Sequence, residues 1–142
     1  MGNRNWLVFA DRSRCHHAEA LYELGFLNWK KGKNYKMNVG DYVYIFVSDE
    51  RRIKFKTEVT DVNCKREDNK FWRDKNGLYL KEAPGEDLAY KLEYRNDYEG
   101  TELDEAVLRK HGFNGGRSFQ KPMCNNPELF SYIEKVFASL SL

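Results

Sequence analysis

The chain has 142 residues, of which 41% are hydrophobic, 15% aromatic and 32% charged, and its formal net charge is +2. That composition excludes an intrinsically disordered chain and suits one packed domain, 1–142, large enough to bury about two-thirds of the surface its unfolded form exposes. Three cysteines (Cys15, Cys64 and Cys124), far apart and without a CxxC pair, exclude a disulfide framework and a zinc ribbon.

No apolar run reaches the roughly 18 residues of a membrane helix, and the start lacks a signal peptide's apolar centre. A soluble, cytoplasmic protein with no membrane partner is expected. The small net charge hides an asymmetry: residues 1–60 carry eleven Lys and Arg against seven Asp and Glu, while residues 61–110 carry ten against thirteen. The first 60 residues form the basic part, and the placement of charge matters more to a polyanion than its sum.

In chain order, Trp6-Leu7-Val8-Phe9-Ala10 reads as a buried first strand that ends in the polar cluster Asp11-Arg12-Ser13-Arg14. From Cys15 to Leu24 the apolar residues Ala20, Leu21 and Leu24 fall on helical spacing, and Gly25 suits the left-handed residue that closes a helix. Phe26 to Trp29 then leads into a basic loop, Lys30-Lys31-Gly32-Lys33-Asn34, with Trp29 at its entrance. Gly40-Asp41 is a turn, and Tyr42-Val43-Tyr44-Ile45-Phe46-Val47, all β-branched or aromatic, is the strongest strand pattern in the chain.

After a hairpin connection at 48–52, Ile53 to Val59 alternates apolar with polar, as a strand with one wet face does. Phe71-Trp72 interrupts a charged stretch, and Leu78–Leu80 and Leu88–Tyr94 read as further strands. Thr101 with Asp104 starts a helix ended by His111-Gly112, and Pro127 opens a last one whose stripe runs through Leu129, Ile133, Val136, Phe137 and Leu140. This order predicts an α+β fold: a curved, mostly antiparallel sheet or open β-barrel flanked by helices.

Catalytic patterns are sparse. Adjacent residues on a helix point about 100° apart, so Cys15-His16-His17 cannot converge on one metal ion, and neither a metal nor a cofactor is expected. Gly112 to Arg117 lacks the ending of a phosphate loop and follows no strand. A small nucleotide-processing enzyme with His16, His17 or His111 as general base is the alternative kept open.

The densest signal is a binding one: Trp29 and Trp72 in or beside loops, with the basic residues Arg12, Arg14, Lys30, Lys31 and Lys33 close in sequence. Stacking on an aromatic face is worth roughly 1–3 kcal/mol per base, and Lys and Arg supply the attraction to phosphate. Trp6, inside a strand, belongs to the core.

Trp29, then Val39 to Ser48, then Arg52 to Val59 together resemble the EVE domain: a Trp, a Gly-Asp turn, an aromatic strand and a hairpin return ending in valine. The first strand at Trp6–Phe9 looks like the EVE opening, and Phe113 to Gln120 with Leu129 resembles the close of EVE-like domains of modification-dependent restriction proteins.

EVE domains belong with the PUA superfamily and are similar to YTH domains, which read a methylated base in an aromatic cage. The resemblance implies a non-catalytic reader of a modified, flipped base, DNA above all. Trp29, Trp72 (or Phe71 in its place) and Phe46 would wall the pocket. Asp11, Ser13, Asn28 and Ser48 would bond the base edge, and Arg12, Arg14, Lys30, Lys31, Lys33 and Arg117 would hold the backbone. A nuclease or NTPase subunit or fused domain would do any hydrolysis, and an RNA-binding PUA-type or YTH-like module is the other reading of the same residues.

Overall fold

The computed structural model describes residues 4–10, 16–31, 36–65, 67, 71, 88–113 and 127–140. Among these residues five strands and three helices follow one another as β1 (Asn5–Ala10), α1 (His17–Leu24), β2 (Phe26–Lys30), β3 (Tyr42–Val47), β4 (Arg52–Cys64), β5 (Ala89–Asp97), α2 (Glu105–Arg109) and α3 (Pro127–Ser139). The strands form one curved mixed sheet, a half-barrel, in the spatial order β1-β3-β4-β5-β2. Among the described residues only the β1–β3 pair is parallel, with Trp6 beside Val43 and Phe9 beside Phe46, and the other three pairs are antiparallel.

Alternation along the strands sorts the apolar residues into two cores, one on each face. Trp6, Val8, Ala10, Val43, Ile45 and Val47 point to the first, under Ala20 and Leu21 of α1. Leu7, Phe9, Tyr44 and Phe46 point to the second, covered by Leu108 of α2 and by Leu129, Ile133 and Phe137 of α3. Because β1 and β3 are buried on both sides, their sequences read as unbroken apolar runs, the signature of strands covered on two faces.

β4 departs from a single alternation. Ile45 pairs with Phe55 while Phe46 pairs with Ile53, so one extra residue, Lys54, bulges there. The bulge turns Ile53 toward the second core while Phe55 and Val59 stay in the first, although all three share parity in the sequence. The hairpin before it closes through Arg51, whose φ of 55° is left-handed for a non-glycine residue. Glu105 fixes that residue by taking two hydrogen bonds from its guanidinium, at 3.0 and 2.8 Å.

The Gly-Asp turn before β3 is a junction as well as a turn. Gly40 has φ 94°, its N–H donates to Val59 O at 2.8 Å, and the Val59 N–H returns a bond to Asp41 O. The Asp41 side chain, 1% exposed, accepts from the Arg4 N–H, the Trp6 indole N–H and the Asn38 N–H, each at 2.9 Å. One carboxyl therefore ties the start of β1 to the start of β3, and it locks Trp6 into the first core.

The helices hold to their sequence signals with small shifts. α1 ends at Gly25, φ 82°, whose N–H bonds Leu21 O, and α3 opens at Pro127. α2 begins at Glu105 instead of Thr101, because residues 101–104 make a turn that bonds Ile53 N to Leu103 O and bridges Arg52 to Asp104. No helix among the described residues is long and apolar enough to cross a membrane. The expected strand at Leu78–Leu80 lies outside the described residues.

Candidate functional site

Phe26–Lys30 is a strand and not the lead into a loop. It pairs with β5 from Phe26 opposite Glu93 to Lys30 opposite Ala89. Two-residue alternation then decides which side chains share a face. Leu27 and Trp29 turn to the first core and Asn28 and Lys30 turn away from it.

Trp29 sits one residue from the strand end, 7% exposed, opposite Tyr90 in the sheet register. The His17 ring of α1 lies 6.1 Å from it, centroid to centroid, tilted by 42°. Phe71 belongs to the same core, and its carbonyl accepts the His16 N–H at 2.8 Å, fastening the segment after β4 to the start of α1. Met37, buried in the same core, donates its backbone N–H to the Tyr90 hydroxyl at 3.1 Å. Trp29 thus lies opposite Tyr90 and beside His17, in the core that also holds Phe71 and Met37.

Lysines stand close to these residues in the chain. Lys30 is exposed next to Trp29, and the Lys31 ammonium donates to Asn63 Oδ1 at 2.7 Å while standing 5.6 Å from the Tyr90 ring centroid. Lys36 precedes Met37, Lys65 follows Asn63 by two residues, and both are exposed.

Three residues proposed for the pocket take other places. Phe46 faces the second core, fully buried, with its ring 5.1 Å from Phe9, 5.3 Å from Phe113 and under the Arg51 guanidinium at 4.9 Å. The sheet itself lies between it and Trp29, so Phe46 is not a wall of the same pocket.

Asn28, also fully buried, has both ends of its carboxamide engaged on the opposite side of β2: Nδ2 donates to Cys64 Sγ at 3.6 Å and Oδ1 accepts the Glu67 N–H at 2.7 Å. It ties Glu67 to β2 and is not placed to bond a base edge at Trp29. Ser48 starts the turn after β3, where its N–H bonds Ala10 O at 2.9 Å. Asp11, Arg12, Ser13, Arg14, Cys15, Lys33, Trp72 and Arg117 lie outside the described residues.

The groups considered for catalysis do not converge. Burial pushes the Cys64 thiol up, against the Asn28 N–H that favours its thiolate, and the neighbouring Glu67 pushes the same way as burial. A thiol held in that state is a poor nucleophile. His16 pairs with Glu19 at 3.3 Å, while His111 stacks on Tyr132 at 3.8 Å and 9° on the α2–α3 side. Among the described residues no group of three or more His, Cys, Asp or Glu could hold a metal ion.

Sequence reading did not single out Tyr90, Met37, Lys36 and Lys65 as neighbours of Trp29, and named His17 only as a possible general base. Tyr90 was visible only as one aromatic residue in a strand, and its place opposite Trp29 depends on recognising β2. His17 stood in a dense Cys-His-His cluster whose chemistry drew attention to metals rather than to an aromatic neighbour.

No family model matches the chain, and no curated protein matches it in sequence. Solved structures do match. A crystal structure of a Pseudomonas putida protein, a structural-genomics target, superposes with a TM-score of 0.60 at 18% identity, covering 92% of this chain and 97% of that one. An NMR structure of a Rhodopseudomonas palustris protein, also a structural-genomics target, gives 0.47 at 12% identity over 77% of this chain and 72% of that one. The first likeness shows a shared fold over nearly the full length of both chains.

Proposed function

We propose that the chain is a nucleic-acid-binding module that seats one modified base, flipped out of its strand, against Trp29. The observation that carries this reading is an indole one residue from a strand end, opposite Tyr90 and beside His17, with Lys30 and Lys31 directly following it. A base pulled from a duplex loses a few kcal/mol of stacking, which contact with an aromatic face and hydrogen bonds to the base edge must recover. A methyl group contributes about 0.8 kcal/mol when buried, about fourfold in affinity, so discrimination requires a close fit rather than a strong one. DNA is the favoured target, as for the reader of a restriction system acting from the cytoplasm. Hydrolysis in such a system falls to a nuclease or NTPase partner or fused domain, and the module itself is not an enzyme.

The test is binding to matched duplexes that carry 5-methylcytosine, 5-hydroxymethylcytosine or N6-methyladenine at one position, against the unmodified duplex and the N6-methyladenine RNA strand. One modified DNA is expected to bind tighter than its unmodified partner. Trp29→Ala is expected to abolish the preference while Trp29→Phe, which keeps the core filled, retains part of it. Equal affinity for every duplex would sink the reading, and a preference confined to the RNA strand would move it to an RNA-binding module.

A further inference from the structure

Several cations of the described residues are paired with carboxylates. Four of them lie on the α2 side: Arg51 and Arg109 both meet Glu105, at 2.8 and 2.9 Å, Arg52 meets Asp104 at 3.1 Å, and Lys54 meets Glu50 and Glu99 at 3.3 and 3.4 Å. Around Tyr90 the arrangement differs. Lys31 is held by two neutral groups, the Asn63 carboxamide oxygen and the Tyr90 ring, which fix the ammonium in position while leaving its charge uncancelled.

Two more lysines stand close in the chain to partners of Tyr90 and of Lys31. Lys36 adjoins Met37, whose N–H is bonded to the Tyr90 hydroxyl, and Lys65 lies two residues beyond the Asn63 that receives Lys31. Neither has a carboxylate within ion-pair distance among the described residues. Three lysines thus stand at or beside residues tied to Tyr90 or to Lys31, just past the end of β2, on the approach to β3 and on the exit from β4. A prepositioned cation with no internal anion is what a phosphate contact needs, and several at one rim suit a chain of phosphates.

We infer that Lys31, Lys36 and Lys65 form a phosphate rim that grips the backbone on either side of the base seated at Trp29, so that the ligand is a segment of polynucleotide strand and not a free nucleoside. This rests on the base-reading function proposed above. The rim is nonetheless testable apart from the base, because an oligothymidylate carries phosphates and no modification.

Affinity of the full chain for a short oligothymidylate is measured from about 50 to about 200 mM salt, where each single-strand phosphate contact adds about 0.7 to the slope of log K on log salt. The variant Lys31→Gln/Lys36→Gln/Lys65→Gln is expected to lower that slope by about 2, while Lys110→Gln/Lys135→Gln, on the α2–α3 side, leaves it unchanged. Unchanged slope in the triple variant, equal loss in the control variant, or failure of the wild type to bind at the lowest salt would overturn the rim. So would polyglutamate of matched charge binding as tightly and losing as much in the triple variant, since the surface would then serve an acidic polypeptide. A rim that passes while Trp29→Ala keeps full modified-base preference would retire the base-reading function and leave the phosphate contacts standing.

Discussion

Asp41 shows how much one buried side chain can organise. Its three N–H donors come from the start of β1, from an indole inside the first core and from the residue two before Gly40. Asp41→Ala would strand those donors away from water, at about 1–3 kcal/mol for each that finds no substitute. A loss of about 3 kcal/mol or more in urea unfolding is the expected result. The Trp6→Phe variant, which keeps the ring buried but removes its N–H, should lose less, since one acceptor site on Asp41 then goes unused instead of three donors.

Asn28 makes a separate prediction at the same scale. Its carboxamide closes over Cys64 and ties down Glu67, so Asn28→Ala should speed thiol labelling of Cys64 in the native protein while leaving any preference for modified base in place. Loss of that preference with unchanged labelling would return Asn28 to the pocket. The sequence marked Asn28 as a candidate because it neighbours Trp29. Neighbours on a strand point to opposite faces, and that rule could be applied only once Phe26–Lys30 was known to be a strand.

Among the elements, the hairpin and α2 are joined by charge. Hydrogen bonds from Arg51 hold the Glu105 carboxyl down at about 2, against the cost of burial, and Arg109 adds to the effect. A carboxyl whose folded value is depressed stabilises the fold above its unfolded value and loses that contribution as pH falls through the folded one. The Glu105 contribution should therefore be whole above about pH 4.5 and fade toward pH 2. Because the pair is partly solvated, the amount is about 1 kcal/mol or less. Urea midpoints for the wild type and Glu105→Gln should accordingly differ near neutral pH and draw together near pH 2; a constant gap would contradict the assignment.

The elements were unevenly legible. β1 and β3 declared themselves through dense β-branched and aromatic runs, and α3 through its stripe and its opening proline. β2 did not, because five residues between a helix-closing glycine and a lysine-rich stretch carry little strand signal of their own. Their stability as a strand comes from pairing with β5, some 60 residues later in the chain. The Lys54 bulge was equally hidden, since alternation from Ile53 to Val59 is regular in the sequence and broken only in the pairing.

At the scale of the whole molecule, the sheet acts as a partition. Trp29 and the Phe46–Phe113 stack lie on opposite faces, each with its own helices. Phe46→Leu should thus lower stability by about 1–2 kcal/mol through imperfect packing without altering any preference among nucleic acids. A change in base preference in that variant, at equal folded fraction, would mean that the two faces communicate. The overall class, a curved sheet closed by helices, was readable from the order of elements. Which aromatic residues share a face was not, because parity is a property of the assembled strands rather than of the residue list.

The strand order also bears on how the protein comes into being. β2 follows β1 after a single short helix, yet among the described residues the two occupy opposite edges of the sheet, and the partner of β2 there is β5, the last strand of the five. On a ribosome, Trp29 emerges early and must wait for Tyr90 before it has a wall opposite it. Pairings so distant in sequence close slowly. A truncation ending before Ala89 should therefore yield a protein with neither a wall opposite Trp29 nor a settled β2.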